Sequence, residues 1–178
     1  MYLFQSERLG FRTWQKSDLD TYAAMNADPD VMEFFPSLLS RENSEKSIEN
    51  FKKHYQEHGF NFFPVDVLSD NKFIGFIGMK RVGFEAFFTP CVEIGWRLDK
   101  SAWGNGYATE GARRCLKLAF EELGEQAIYS FTALQNKRSE RVMQKIGMHK
   151  VGEFNHPKVP EDNWLSRHVL YKIERPTE

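Results

Sequence analysis

Cys91-Val92-Glu93-Ile94-Gly95-Trp96-Arg97-Leu98, and shortly after it Ser101-Ala102-Trp103-Gly104-Asn105-Gly106-Tyr107-Ala108-Thr109-Glu110, form the stretch around which the chain is arranged. The first run alternates, with Val92, Ile94 and Trp96 on one face, and reads as a β-strand. The second places two glycines in a tight turn. Beyond it Ala108, Ala112, Cys115, Ala119 and Leu123 recur in steps of three and four, while Glu110, Arg113, Arg114, Lys117 and Glu121 fill the opposite face. That spacing predicts an amphipathic helix, with Glu110 and the run Arg113–Lys117 on its solvated side and Gly124 at its end. A strand, a glycine turn and a helix start aim unpartnered N–H groups at an anion, and the helix dipole adds roughly half a positive charge there. Glycine removes the Cβ that would keep a phosphate away.

Three phosphate-binding patterns compete for this turn. A P-loop requires Gly-Lys-Ser/Thr, and no lysine closely follows Gly106. A dinucleotide fingerprint would want a third glycine at Thr109 and an acid ending the next strand, yet Ala127–Leu134 contains none. The stretch resembles the acyl-CoA pyrophosphate loop of GNAT N-acetyltransferases, Gln/Arg-x-x-Gly-x-Gly/Ala, laid over Trp103, Gly104, Asn105, Gly106, Tyr107 and Ala108. Trp103 departs from the pattern at the first position. The resemblance continues in Glu7-Arg8-Leu9 with Arg12, Trp14 and Asp18-Leu19, the opening of the RimJ/RimL-like branch. Glu93-Ile94-Gly95 before the loop, and Asn136-x-x-Ser139 followed by Gly147-Met148, complete it.

Composition agrees with a soluble cytoplasmic domain. The chain has 178 residues, 41% of them hydrophobic, enough for one core, and a formal net charge of −1. That charge offers no electrostatic case for nucleic acid or an anionic membrane. The start is not a secretory signal, and no apolar run approaches about 18 residues. Cys91 and Cys115 read as buried thiols of a reducing compartment, which gives a cytoplasmic expectation. His54, His58, His149, His156 and His168 lack partners at metal spacing, so no metal is expected.

In chain order, Ser6–Trp14 alternates as a half-buried strand, and Ser17-Asp18-Leu19-Asp20 is a capping-box spacing that opens a helix ending before Asp28-Pro29. A second helix is expected from about Ser44 to His58, with Ile48, Phe51 and Tyr55 inward. Phe60–Leu68 is a strand whose Pro64 implies an edge or a bulge, and Phe73–Met79 runs back from it. Ala127–Leu134, a short helix from Asn136 to Gly147, and the strands Met148–Phe154 and Arg167–Ile173 close the chain. The expected fold class is α+β: a mixed, mostly antiparallel seven-stranded sheet with about four helices, in a single domain over residues 1–178. The resemblance makes this the GNAT acyl-CoA N-acyltransferase fold, with a splayed parallel strand pair.

The resemblance also implies the chemistry. The pantetheine arm of acetyl-CoA would lie between Cys91–Leu98 and Ala127–Leu134, against backbone groups near Trp96, Arg97 and Leu98. Trp103, Gly104, Asn105, Gly106, Tyr107, Ala108 and Thr109 would bind the pyrophosphate, with Asn136 and Ser139 also at the cofactor. A neutral amine attacks the thioester directly. Glu93 matches a glutamate that some relatives use as the base; a solvated or structural carboxylate is the alternative. Met143 stands where many relatives place a tyrosine acid, and Ser139 stands where RimL-like relatives carry a serine proposed to protonate the thiolate. A lysine-like amine is neutral about once in two thousand molecules at pH 7 and an α-amine about once in ten, so an α-amine leans less on a base. The expected partners are acetyl-CoA and a primary amine, foremost a protein or peptide N-terminus, with a polyamine or aminoglycoside second, the protein being a monomer or homodimer. A catalytically silent CoA-binding module of the same fold is the rival. Acceptor choice is expected from the loops Val31–Arg41 and Asn155–Leu165.

Overall fold

The computed structural model describes residues 1–176. Its strands are β1 (Phe4–Gln5), β2 (Leu9–Phe11), β3 (Phe62–Val67), β4 (Lys72–Arg81), β5 (Val92–Leu98), β6 (Ala127–Ala133), β7 (His149–Asn155) and β8 (Arg167–Glu174). They form one sheet in the order β1-β2-β3-β4-β5-β6-β8-β7. Every neighbouring pair is antiparallel except β5 and β6, which run parallel. The helices are α1 (Asp18–Asn26), α2 (Arg41–His58), α3 (Tyr107–Lys117) and α4 (Lys137–Lys145). A parallel pair needs a long crossover, and α3 provides it. The mixed sheet and four helices are the expected α+β fold, with eight strands rather than seven. The additional strand is β1, two residues that fold back on β2. Among the described residues no helix is long and apolar enough to cross a membrane.

Adjacent residues of β3 separate the two faces of the sheet. Phe63 and Val65 join Ile77, Met79, Val92 and Ile94 under Ala112, Cys115 and Leu116 of α3 and Met143 of α4. Phe62 and Phe76 pack with Tyr22 and Met25 of α1 and Ile48 of α2. Gly111 lets α3 lie close on β4, because a Cβ there would stand 2.4 Å from Ile77 Cδ1. The helix does not stay α to its end. Leu118–Glu122 is a π turn, with Leu123 N–H donating to Leu118 O (3.0 Å), before Gly124 at φ +73°.

Three local expectations change, two of them around Arg12. The first strand is not half-buried: Leu9–Phe11, Arg12 and Trp14 are all buried. Arg12 donates from Nε and Nη2 to Asp66 (2.7 and 2.8 Å) and from Nη1 and Nη2 to Asp18 (both 2.8 Å). Burial opposes the guanidinium charge, but the bonds from Asp18 and Asp66 outweigh it and raise the Arg12 pKa. Ser17 does not cap α1. Asp18 instead accepts from Gln15 N–H (2.8 Å) while holding Arg12. Of the two readings of Pro64, the edge fails because β3 is interior, and the bulge is met by a register shift just beyond it, between Val65 and Asp66. Helix α2 starts at Arg41, earlier than its periodicity implies, because the Ser40 hydroxyl accepts from Asn43 N–H (3.1 Å).

Arg12→Met leaves two buried carboxylates without a counter-charge. The expected cost is about 3–5 kcal/mol, read as a lowered urea midpoint at unchanged slope. A loss below about 1 kcal/mol would show that water replaces the guanidinium.

Candidate active site

β5 and β6 pair only at Val92↔Ile128 and Glu93↔Tyr129. Immediately beyond, Ser130 Oγ donates to Ile94 O (2.9 Å), and the strands run on unpaired. Asp99 N–H donates to Ile74 O of β4 (2.8 Å), so alternation turns the backbone groups of odd-numbered β5 residues toward β4 and those of Ile94, Trp96 and Leu98 into the gap. Trp103 Nε1 donates to Leu98 O (3.0 Å), occupying that carbonyl. The free edge expected over Trp96, Arg97 and Leu98 therefore centres on Trp96. Arg97 turns its backbone to β4, and Leu98 keeps only its N–H.

The glycine turn is built by its neighbours. Trp103 is fully engaged: its N–H reaches Lys100 O (3.2 Å), its indole reaches Leu98, and the Arg138 guanidinium lies 4.3 Å over its ring. It braces the turn and keeps no donor for a phosphate, unlike the expectation for that position. Asn105 Nδ2 donates to Ala102 O (3.2 Å) and Trp103 O (3.1 Å), shaping the turn. Gly104 and Gly106 hold φ of +77° and +80°, a region costly for residues with a Cβ. Among the described residues the amides of Gly104, Asn105, Gly106, Tyr107, Ala108 and Thr109 meet no internal acceptor. A pyrophosphate is the kind of group such a cradle fits: open space at Gly104, convergent N–H groups and a helix N-terminus.

Glu110, read from the sequence as solvated, is the clamp of this turn. It accepts from Ser6 Oγ (2.7 Å) and Arg8 N–H (2.8 Å) and pairs with the Arg8 guanidinium at 2.7 Å. Burial opposes its charge, but these bonds hold its pKa down. Arg8 also donates to Asn105 O (3.1 Å) and lies 4.8 Å over the Tyr107 ring. Arg114, from the same supposedly solvated face, covers the Phe4 ring at 4.7 Å and donates to Gln5 O (3.0 Å). Acid in the first turn of α3 and Arg8 near the N-terminus were visible in sequence; their pairing needed the β1–β2 hairpin.

On the other side of the gap, Asn136 caps α4. Its Oδ1 accepts from Ser139 N–H (3.2 Å), and its Nδ2 donates to Thr132 Oγ1 (3.0 Å) and Ser139 Oγ (3.2 Å). Both ends of the Asn136 amide bond within the protein, and through Nδ2 it positions the Ser139 hydroxyl. Because Ser139 Oγ accepts from Asn136, the hydroxyl proton is left to donate elsewhere. Met143 is buried in the core.

Glu93 faces away from Val92 and Ile94, toward the α1–α2 side, with 12% side-chain exposure and Lys80 Nζ 3.2 Å from its carboxylate. Burial raises its pKa, and Lys80 partly opposes that. Arg97 shares this face of β5 by the two-residue period. Beside them a cleft of about 370 Å³ is lined by Tyr22, Ser47, His54, Asn61, Lys80 and Arg97, among others. His54 has both ring nitrogens engaged, with Phe60 O (2.7 Å) and Arg81 N–H (3.0 Å). The loops expected to govern the acceptor meet each other, with the Phe34 and Trp164 rings 6.3 Å apart, but only Leu39 from them lines the cleft. The side chains of Asn61, Lys80 and Arg97 went unread in the sequence. The alternation that placed Glu93 would have placed Arg97 beside it.

The acetyltransferase (GNAT) domain family matches residues 8–149. The uncharacterized N-acetyltransferase YnaD of Bacillus subtilis is 30% identical over 170 residues, covering 95% of each chain. Two solved structures share the fold at lower identity. A ribosomal-protein α-N-acetyltransferase, RimL, in complex with coenzyme A is 14% identical, with a TM-score of 0.77 over 98% of each chain. Spermidine N-acetyltransferase from Vibrio cholerae, in complex with coenzyme A and spermine, is 17% identical, with a TM-score of 0.73 over 94% of this chain and 96% of that one.

Proposed function

The chain belongs to the GNAT acetyltransferases and is an acetyl-CoA-dependent N-acetyltransferase, and we propose that residues 1–178 act as one domain that acetylates a primary α-amine, foremost the N-terminus of a protein or peptide. The RimJ/RimL-like opening Glu7-Arg8-Leu9 and the serine at 139 support that branch over a polyamine enzyme. A cytoplasmic monomer or homodimer fits this reading.

One observation carries it: the β5–β6 ladder ends at the Glu93↔Tyr129 step, which sets the largely buried Glu93 carboxylate at the mouth of the gap, and Ser139, with a hydroxyl proton left to donate, lies in the first turn of the helix that follows β6. The cradle from Gly104 to Thr109 holds the pyrophosphate, and the Trp96 edge receives the pantetheine as an added strand would. The neutral amine attacks the thioester carbonyl; a C–N bond forms and the C–S bond breaks. Glu93 takes the proton released by the nitrogen, directly or through water, and Ser139 gives its hydrogen bond to the departing sulfur. A thiolate with a pKa near 8.5 is a tolerable leaving group, so one such donor suffices without a tyrosine at 143. A free hydroxyl proton at Ser139 favours turnover over a silent CoA-binding role.

As a base Glu93 must be ionised, and its burial places that ionisation above the ordinary carboxylate range. The kcat/KM profile is therefore expected to rise with pH through a pKa higher than about 4.3, and Glu93→Gln should remove that limb. Lys80→Met, which takes away a cation that lowers the Glu93 pKa, should move the limb to higher pH. A limb that follows each acceptor's own pKa and survives Glu93→Gln would overturn the assignment. Ser139→Ala is expected to lower kcat roughly ten- to hundredfold at an unchanged KM for acetyl-CoA, since the lost bond is made mainly in the transition state. An unaltered single-turnover rate would reduce Ser139 to part of the α4 cap.

A further inference from the structure

The cleft beside Glu93 carries an unbalanced charge. Its lining holds Lys80 and Arg97, and no carboxylate is among its lining residues. Lys80 is paired with Glu93 at 3.2 Å, but Arg97 has no ion-pair partner among the described residues. Its Nη1 donates to Asn26 Oδ1 (2.8 Å), and its guanidinium lies 4.1 Å over the Phe35 ring and 5.4 Å from that of Phe76. Arg97 Nε is buried with no acceptor. Asn61 Oδ1, in the same cleft, is buried with no donor, its Nδ2 being spent on Phe51 O (3.1 Å). A buried cation without a counter-charge and a buried carbonyl without a donor are each costly, and a ligand that satisfies both recovers the cost on binding.

We infer that the acceptor carries an anionic group beside its amine: a carboxylate seated on Arg97, while an acceptor N–H bonds Asn61 Oδ1. This rests on the reading of the enzyme as an α-amine acetyltransferase and narrows its substrate class. The cleft has the wrong sign for a polyamine, whose cations need carboxylates to receive them. Two sources share the required chemistry, a free amino acid and a peptide whose first residue has an acidic side chain.

Free-thiol release from acetyl-CoA, with each kcat/KM expressed per neutral amine, tests this on the unmodified protein: alanine against alaninamide, a Glu-first peptide against its Gln-first counterpart, and spermidine alone. The acid of at least one pair should exceed its amide in kcat/KM by roughly ten- to hundredfold, as expected for one charge-assisted bond. Preference in the first pair marks a free amino acid and in the second an acidic N-terminus. Arg97→Gln should bring that ratio near one. Amides acetylated as well as acids, or spermidine above all others, would overturn the inference and leave acetyl transfer standing. If no amine releases thiol, calorimetry with the same acids decides. Binding that Arg97→Gln abolishes keeps the anion seat and removes the α-amine reading, whereas no binding removes both.

Discussion

Ser130 Oγ on the carbonyl of Ile94 replaces what would have been the next ladder bond between β5 and β6. From that point the two strands diverge, although each stays held on its other side, β5 by β4 and β6 by β8. A sheet edge in the middle of a sheet is normally a liability. Here the exposure is rationed. Ser130 takes Ile94 O, Trp103 takes Leu98 O, and Trp96 is left between them. The same divergence brings the start of α3 and the start of α4 to opposite banks of one gap, so a crossover forced by parallel pairing also supplies the anion cradle.

Charge is arranged around this gap with different degrees of satisfaction. Arg12, locked by two carboxylates, fixes α1 to β3 and so helps set the wall that Tyr22 gives to the cleft beside Glu93. The pair of Arg8 and Glu110 ties the β1–β2 hairpin to the first turn of α3 and fixes the glycine turn. Those two arginines are structural, and their bonds are complete. Arg97 is incomplete, and burial pulls its pKa below that of a free guanidinium. The finished guanidinium groups belong to the scaffold, and the unfinished one is the group to which the inferred acceptor seat is assigned. Arg138 pairs with Glu33 (2.8 Å) in the loop after α1 while it stacks on Trp103 under the glycine turn.

Much of this was legible in sequence where the signal is local. The period-two run of β5, the glycines, the period of α3 and the Asn136-x-x-Ser139 spacing depend on neighbours a few residues apart, and each appears where expected. What was not legible depends on partners far away. Arg12 looked exposed because alternation assigns arginine to solvent, and only Asp66, 54 positions on, makes it a core residue. Pro64 suggested an edge or a bulge; β3 is an interior strand, and the register shift between Val65 and Asp66 matches the bulge. The pattern position at Trp103 predicted a phosphate ligand, but a large indole with one N–H finds a nearby carbonyl instead. Insertion of β8 between β6 and β7 leaves no mark in any one segment. The cleft beside Glu93 draws its lining from α1, α2, β3, β4 and β5, so its residues are scattered from Tyr22 to Arg97.

The central claim is that acetyl-CoA completes backbone bonds which the fold leaves open at Trp96 and from Gly104 to Thr109. Residue-resolved amide hydrogen exchange with and without saturating coenzyme A tests it most directly. These amides should exchange rapidly in the free protein and become strongly protected in the complex, while the paired amides of β3 and β4 stay slow in both. Unchanged exchange at Trp96 and the glycine turn, with protection appearing elsewhere, would contradict the account.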